Sequence, residues 1–113
     1  MTLKRVILEM GTGNALHGGD YTTAAIRAVE DAIHHSSLSM VRALKIDRDT
    51  VHVDVTIGVQ RPGEVDAEAV RAALPMGKVT VKVVEGGLDV PDQEADDIAV
   101  IASAAVAVRL DLP

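Results

Sequence analysis

Alternating apolar and polar positions mark the strands of this chain. The clearest case is residues 51–59, where valine or isoleucine stands at every odd position and the even positions are polar or glycine. A period of two is typical of a strand with one buried face. Three further strands are predicted, over Leu3–Met10, Lys78–Val84 and Ile98–Leu110.

A different spacing follows the first strand. Ile26, Val29 and Ile33 recur at steps of three and four residues, which predicts an amphipathic helix. The helix is expected to begin after Asp20 or Thr22, because either side chain can cap an N-terminus.

Two weaker helical patterns and one loop complete the chain. Ser37 is a candidate cap for a second helical stretch with apolar residues at 38, 41 and 44. A short helix is expected from Val65 or Asp66, ending at Pro75 and Gly77. Residues 85–97 are rich in acids, contain no base and include the pair Gly86-Gly87, so we expect a loop there.

The order β-α-β-α-β-β predicts an α/β fold of the α+β type, a single four-stranded sheet with both helices on one face. Residues 1–113 form one domain of ordinary size. The other, open face is expected to carry Arg5, Glu9, His52, Asp54, Thr56, Thr80, Lys82, Ala99, Ile101, Ser103, Ala105 and Ala107. Two helices cover only one face, so we predict a homo-oligomer that packs through open faces, a trimer or alternatively a dimer.

The composition excludes several classes of function. A net charge of −6 repels a phosphate backbone, so nucleic acid is not expected as a partner. The chain has no cysteine, which excludes disulfides and thiolate chemistry. The longest apolar run, residues 98–108, is about half a membrane span, so no membrane segment is expected. With no signal peptide in the sequence, we expect a cytoplasmic protein.

The segment from Gly11 to Gly18 is the most distinctive part of the chain. It is predicted as a loop between the first strand and the first helix, where backbone amides can hold an anion at the helix N-terminus. The candidate ligand-binding residues are Gly11, Thr12, Gly13, Asn14, Gly18 and Asp20. His17 is the candidate catalytic residue, since an imidazole transfers protons near neutral pH. A purely structural role for the glycines and His17 in forming the turn stays open.

Standard nucleotide motifs do not fit this segment. In the dinucleotide-binding pattern G-x-G-x-x-G, the third glycine would fall on Leu16. No Gly-Lys-Ser/Thr follows either, which excludes a phosphate-binding P-loop. No metal site is expected, and the cofactor, if there is one, is unknown.

Gly11, Gly13, His17 and Gly18 resemble the hallmark G-x-G-x-D-x-H-G of the Lin0512 family, a group of small proteins with no established activity. The resemblance extends along most of the chain. Ala15 stands where the family pattern has an acid, and a methyl group neither binds a metal nor moves a proton. Any mechanism that depends on that acid is therefore absent here, unless Asp20 or another acid replaces it; alternatively, the acid of the family pattern only stabilises the loop.

Two functions remain open. The first is a small-molecule enzyme, a hydrolase or a lyase, that binds its substrate or an anion at an intersubunit site near the glycine-rich segment. The second is a non-catalytic binding or oligomeric scaffold module. A fold-level analogy to ring-opening amidohydrolases adds Ser103 and Lys82 on the open face as residues of interest.

Overall fold

The structure, a computed structural model, describes residues 2–34, 45–74 and 77–112. These residues form five strands and two helices, with 3₁₀ turns at Arg48–Thr50 and Pro62–Glu64. The elements are β1 (Thr2–Ala15), α1 (Tyr21–His34), β2 (His52–Val59), α2 (Ala67–Ala72), β3 (Lys78–Glu85), β4 (Leu88–Asp92) and β5 (Asp97–Leu112). The helical stretch expected after Ser37 lies outside the described residues.

The five strands form one mixed sheet in the order β1-β5-β2-β3, with β4 also paired to β5. β2 and β3 are parallel and are joined through α2, whereas every strand beside β5 is antiparallel to it. β1 pairs with one side of β5. On the other side, β4 pairs with residues 97–101 of β5 and β2 pairs with residues 103–109. The last strand is therefore the centre of the sheet.

The mixed class with two helices is confirmed, but the prediction of four strands is wrong. The acidic stretch expected to be a loop contains β4, which forms a hairpin with the start of β5. Acids and Pro91 hide this strand in the sequence. An edge strand tolerates these residues, because its outer side faces solvent and does not need the backbone N–H that proline lacks.

Each helix begins directly after one of the two positions predicted for its start, Asp20 for α1 and Asp66 for α2. Asp20 Oδ1 accepts a hydrogen bond from the Thr23 amide at 3.0 Å, and Asp66 Oδ1 accepts from the amides of Glu68 and Ala69. Both helices contribute to one aliphatic core on one face of the sheet. Its fully buried members include Ala24, Ala25, Ala28, Val29, Ala32, Val53, Val55, Ile57, Val70, Val100, Ala102, Val106 and Val108.

A β-bulge changes the facing of β1. The register with β5 shifts between Arg5 and Ile7, so the alternation is offset by one residue from there on. Ile7 is buried in the core, while Leu8 and Met10 are exposed on the open face. The prediction that Glu9 lies on the open face is therefore wrong, because Glu9 shares the helix side with Ile7.

Gly11 and Gly13 belong to β1 and not to a loop, since the strand continues to Ala15. A Cβ atom at Gly11 would lie against Ala28 O and Ala32 N of α1, and one at Gly13 against Ala24 O and Ala28 N. The helix backbone therefore rests directly on the strand. Only glycine leaves room for this approach, so the two glycines are explained by packing.

We predict that Gly13→Ala lowers the free energy of unfolding by roughly 1–3 kcal/mol, because the new methyl group meets backbone atoms that have no rotamer to escape into. Urea denaturation measures the change. Gly63→Ala is the matched control, since nothing lies within 4 Å of its Cβ position. It should change the stability by less than about 0.5 kcal/mol, and equal losses in both variants would contradict the packing role of Gly13.

Candidate functional site

A tight turn of residues 16–20 joins β1 to α1. Gly18 and Gly19 have φ angles of 77° and 57°, in the left-handed region where glycine is unstrained. The Gly19 amide donates to Ile98 O at 3.4 Å, which holds the turn against the start of β5. The turn is thus attached to the start of β5 at one end of the sheet.

Asp97 organises this turn through three contacts. Its Oδ1 accepts hydrogen bonds from the amides of Gly18 at 2.7 Å and Ile98 at 2.8 Å. Its Oδ2 lies 3.1 Å from Nδ1 of His17. The Gly18 amide, the Ile98 amide and the His17 side chain hold the pKa of Asp97 below its ordinary value. The carboxylate is therefore ionised over the physiological range.

His17 faces the solvent with one ring nitrogen fixed. Its side chain is 86% exposed, and Nδ1 points at the Asp97 carboxylate. An ionised carboxylate only accepts hydrogen bonds, so a neutral His17 donates from Nδ1–H and keeps its lone pair on Nε2. A base oriented by a carboxylate is the arrangement that activates nucleophiles and moves protons in enzymes.

A cavity of about 430 Å³ lies beside the turn. It is lined by Ala15, Leu16, His17, Asp20, Thr23 and Arg27. An Arg27 Nη donates to Asn14 O at 2.7 Å, which fixes the guanidinium at the cavity wall. The cavity therefore combines a cation with an imidazole.

Asp20 adds a carboxylate to the same cavity, but this carboxylate is already engaged. Its two oxygens accept from the amide of Thr23 at 3.0 Å and from the Thr23 hydroxyl at 2.6 Å. These hydrogen bonds, and then the charge of Arg27, hold the pKa of Asp20 below its ordinary value. Asp20 thus caps α1, and its negative charge offsets that of Arg27 in the cavity.

The structure brings His17 and Asp20 together at the cavity and places the other predicted residues elsewhere. Gly11 and Gly13 lie upstream in β1 against α1. The Thr12 amide donates to Asp31 Oδ2 at 2.9 Å, and the Gly18 amide is taken by Asp97. Asn14 does not line the cavity, but its carbonyl oxygen accepts the hydrogen bond from Arg27.

Sequence reasoning missed Arg27, Thr23 and Asp97 as site residues. A signal for the first two exists, because positions 20, 23 and 27 follow the helical spacing that places residues on one face. Asp97 carries no such signal, since it is 80 residues from His17 and lies in a stretch read as a loop.

A second long-range contact fixes β4 to the start of α1. The buried Tyr21 hydroxyl donates to Asp89 Oδ2 at 2.5 Å. Burial, followed by the hydrogen bond to Asp89, raises the pKa of Tyr21 to about 12. Asp89 Oδ1 is buried and has no hydrogen-bond partner among the described residues. The pair attaches β4 to the residue that follows Asp20, and neither side chain lines the cavity.

Three further points from the sequence concern Ser103 and Lys82, a metal site and a membrane segment. Ser103 and Lys82 both lie on the open face, but the strand pairing separates their Cα atoms by about 12 Å. Within residues 2–34, 45–74 and 77–112, no group of three or more His, Cys, Asp or Glu residues is placed to hold a metal ion. No helix in the same part of the chain is long and apolar enough to cross a membrane.

Known proteins are similar to this chain in sequence and in fold. The family model described as "Conserved hypothetical protein (Lin0512_fam)" matches residues 5–108. The chain is also similar to a crystal structure of an FtsZ-like protein of unknown function from Nostoc punctiforme, with 37% identity and a TM-score of 0.86. That similarity covers 99% of each chain. No curated protein matches.

We predict that Asp97→Asn destabilises the protein near neutral pH and that the loss shrinks on acidification. The folded pKa of Asp97 is depressed, so its contribution is complete above the ordinary value of 3.8 and is lost as the pH falls through the folded value. Thermal unfolding at a series of pH values measures the difference. Asp96→Asn is the control, because asparagine also adopts the left-handed conformation found at Asp96. A loss that does not depend on pH would contradict this role of Asp97.

We predict that Tyr21 titrates at about pH 12 in the folded protein and near its ordinary pKa of 10.0 in denaturant. Because the folded pKa is raised, the stabilisation is complete below pH 10 and is lost as the pH rises toward 12. Tyr21 is the only aromatic residue, so the ultraviolet absorbance of tyrosinate reports on it alone. Asp89→Asn should lower the folded midpoint; a wild-type midpoint near 10 would disprove the contact.

Proposed function

The chain belongs to the Lin0512 family of conserved hypothetical proteins, and we propose that it binds a small anionic molecule in the cavity beside His17 and exchanges a proton with it. The family description names no reaction, so the proposal depends on the site. A hydrolysis or an elimination, the chemistry of a hydrolase or a lyase, is the reaction class that a single oriented base supports.

The hydrogen bond between His17 and Asp97 carries this proposal. Asp97 is itself held by two backbone amides, so the imidazole has a fixed orientation although its outer edge is in solvent. Within the described part of the chain, no hydrogen bond engages Nε2, so this nitrogen is available at the cavity to accept a proton. Asp97 supplies the acid that the resemblance expects near this histidine and that Ala15 does not provide.

The class of ligand follows from Arg27. Its planar guanidinium has five N–H donors, and one of its nitrogens donates to Asn14 O. The geometry of a guanidinium suits a carboxylate or a phosphate, which can accept two hydrogen bonds from it. Ala15 lines the same cavity with a methyl group, so no acid of the chain occupies the position that the family pattern gives to one. The volume of about 430 Å³ is within the range of small-molecule sites.

A non-catalytic binding or oligomeric scaffold module is the second candidate function. The exposed apolar side chains on the open sheet face favour it, because such a surface is suited to assembly. The two functions are compatible, because the cavity lies beside the turn before α1 and the exposed apolar side chains lie on the open sheet face.

We predict that malonate and inorganic phosphate shift the backbone amide signals of residues 15–27 in two-dimensional NMR spectra of the folded protein. Arg27→Gln should weaken the binding at least about tenfold, because it removes a charge-assisted contact. His17→Ala should leave the spectrum folded, since the side chain is exposed, and should change the pH dependence of binding.

His34→Ala is the matched control, because His34 is also exposed and lies at the far end of α1, about 10 Å along the helix from Arg27, the nearest cavity residue of α1. It should bind both probes like the wild type. The proposal fails if neither anion perturbs the site residues or if Arg27→Gln binds them unchanged.

A further inference from the structure

The sheet face turned away from α1 and α2, here called the open face, carries a cluster of exposed apolar side chains. It has two parts: Leu8 and Met10 are exposed on β1, Met10 to 68%, and Leu88 and Val90 are exposed on β4, Val90 to 45%. Leu88 and Val90 pair with Ile101 and Ala99 of β5, so the apolar surface is continuous across β4 and β5. Scattered apolar residues are normal on a surface, but a cluster on one face indicates an interaction site.

The open face also carries a shallow cavity that is open to solvent. It has a volume of about 560 Å³ and reaches the edge of the sheet, with a lining that includes Met10, Thr12, Asp31, Thr56, Val84 and Ser103. Small side chains of β2 and β5 and the long, exposed side chain of Met10 take part in this lining. A protruding group and a depression therefore lie next to each other on one surface.

The size of the chain's surface agrees with a missing partner. The accessible surface is 6659 Å² for 11.9 kDa, whereas a compact monomer of this mass has roughly 5,900 Å². The radius of gyration is 15.3 Å, against about 13 Å for a compact domain of this length. The chain is elongated, with extents of 57 × 22 × 18 Å, and one broad face of such a shape can supply the ~800 Å² that each partner buries in a standard interface.

We propose that the open face binds a second copy of this chain through the same face. A two-fold or three-fold arrangement of identical faces lets Met10 of one copy enter the cavity of another, and the apolar surface of each copy is then covered. Arg109 Nε and Asp54 Oδ2, which lie 2.7 Å apart at one end of the face, give the interface a polar rim. This inference goes beyond the proposed ligand binding and does not depend on it.

The test is the mass of the full chain in solution, measured by light scattering and by sedimentation over a range of concentrations. The wild type is expected to have the mass of two or three chains. Met10→Lys should weaken the association at least tenfold, because it buries a charge in the interface. Val90→Lys provides a second, independent position on the same face, so a folding defect in one variant does not decide the result.

Leu16→Lys is the matched control for association. Leu16 is 64% exposed, similar to Met10, but it lies in the turn beside the ligand cavity and not on the open face. It should keep the mass of the wild type, and circular dichroism should show that all three variants are folded. A monomeric wild type overturns the proposal and would leave the face to a different protein or a lipid surface. Equal dissociation by Leu16→Lys and Met10→Lys also overturns it.

Discussion

The direct contact between the backbone of α1 and the strand β1 is the constraint on which the rest of the structure depends. Glycines at 11 and 13 face alanines at 24, 28 and 32, so that no side chain larger than a methyl group separates the two elements. Because interiors are close-packed, this contact fixes the height and direction of α1 over the sheet. Every residue of the candidate site on α1 takes its position from it.

The same contact brings the polar side of α1 to the outer edge of β1. Asp31 accepts from the amide of Thr12, and Arg27 donates to the carbonyl of Asn14. These side chains satisfy backbone groups that an edge strand otherwise offers to another chain. The edge is therefore closed by α1 at this point, while the open face of the sheet remains exposed. Assembly through the face is consistent with both observations.

Local signals predicted much of the fold and little of the site. The period of two predicted four of the strands, and the starts of α1 and α2 lie at Asp20 and Asp66, each one of two predicted positions. These signals are local because each depends only on neighbours in sequence. The bulge after Arg5 has no such signal, and one shifted residue reverses which side chains of β1 are buried. The sequence predicts a loop at Gly11 and Gly13 because the helix backbone for which these glycines make room belongs to another element, α1.

The partner of His17 could not be predicted for a similar reason. Asp97 is one of several acids in its stretch, and only the hairpin of β4 and β5 selects it. Tyr21 and Asp89 attach that hairpin to α1, so the turn is held from both sides. The site is thus a product of contacts between distant segments, each of which looks like ordinary loop or strand sequence by itself.

The tautomer of His17 tests this account most directly, and nitrogen-15 NMR of the imidazole at a pH where it is neutral measures it. If Asp97 orients the ring, Nδ1 carries the proton and Nε2 is unprotonated, and Asp97→Asn shifts the population toward the Nε2–H form that free histidine prefers. A wild-type His17 already in the Nε2–H form, unchanged by Asp97→Asn, would show that the carboxylate does not hold the imidazole, and the candidate site would lose its base.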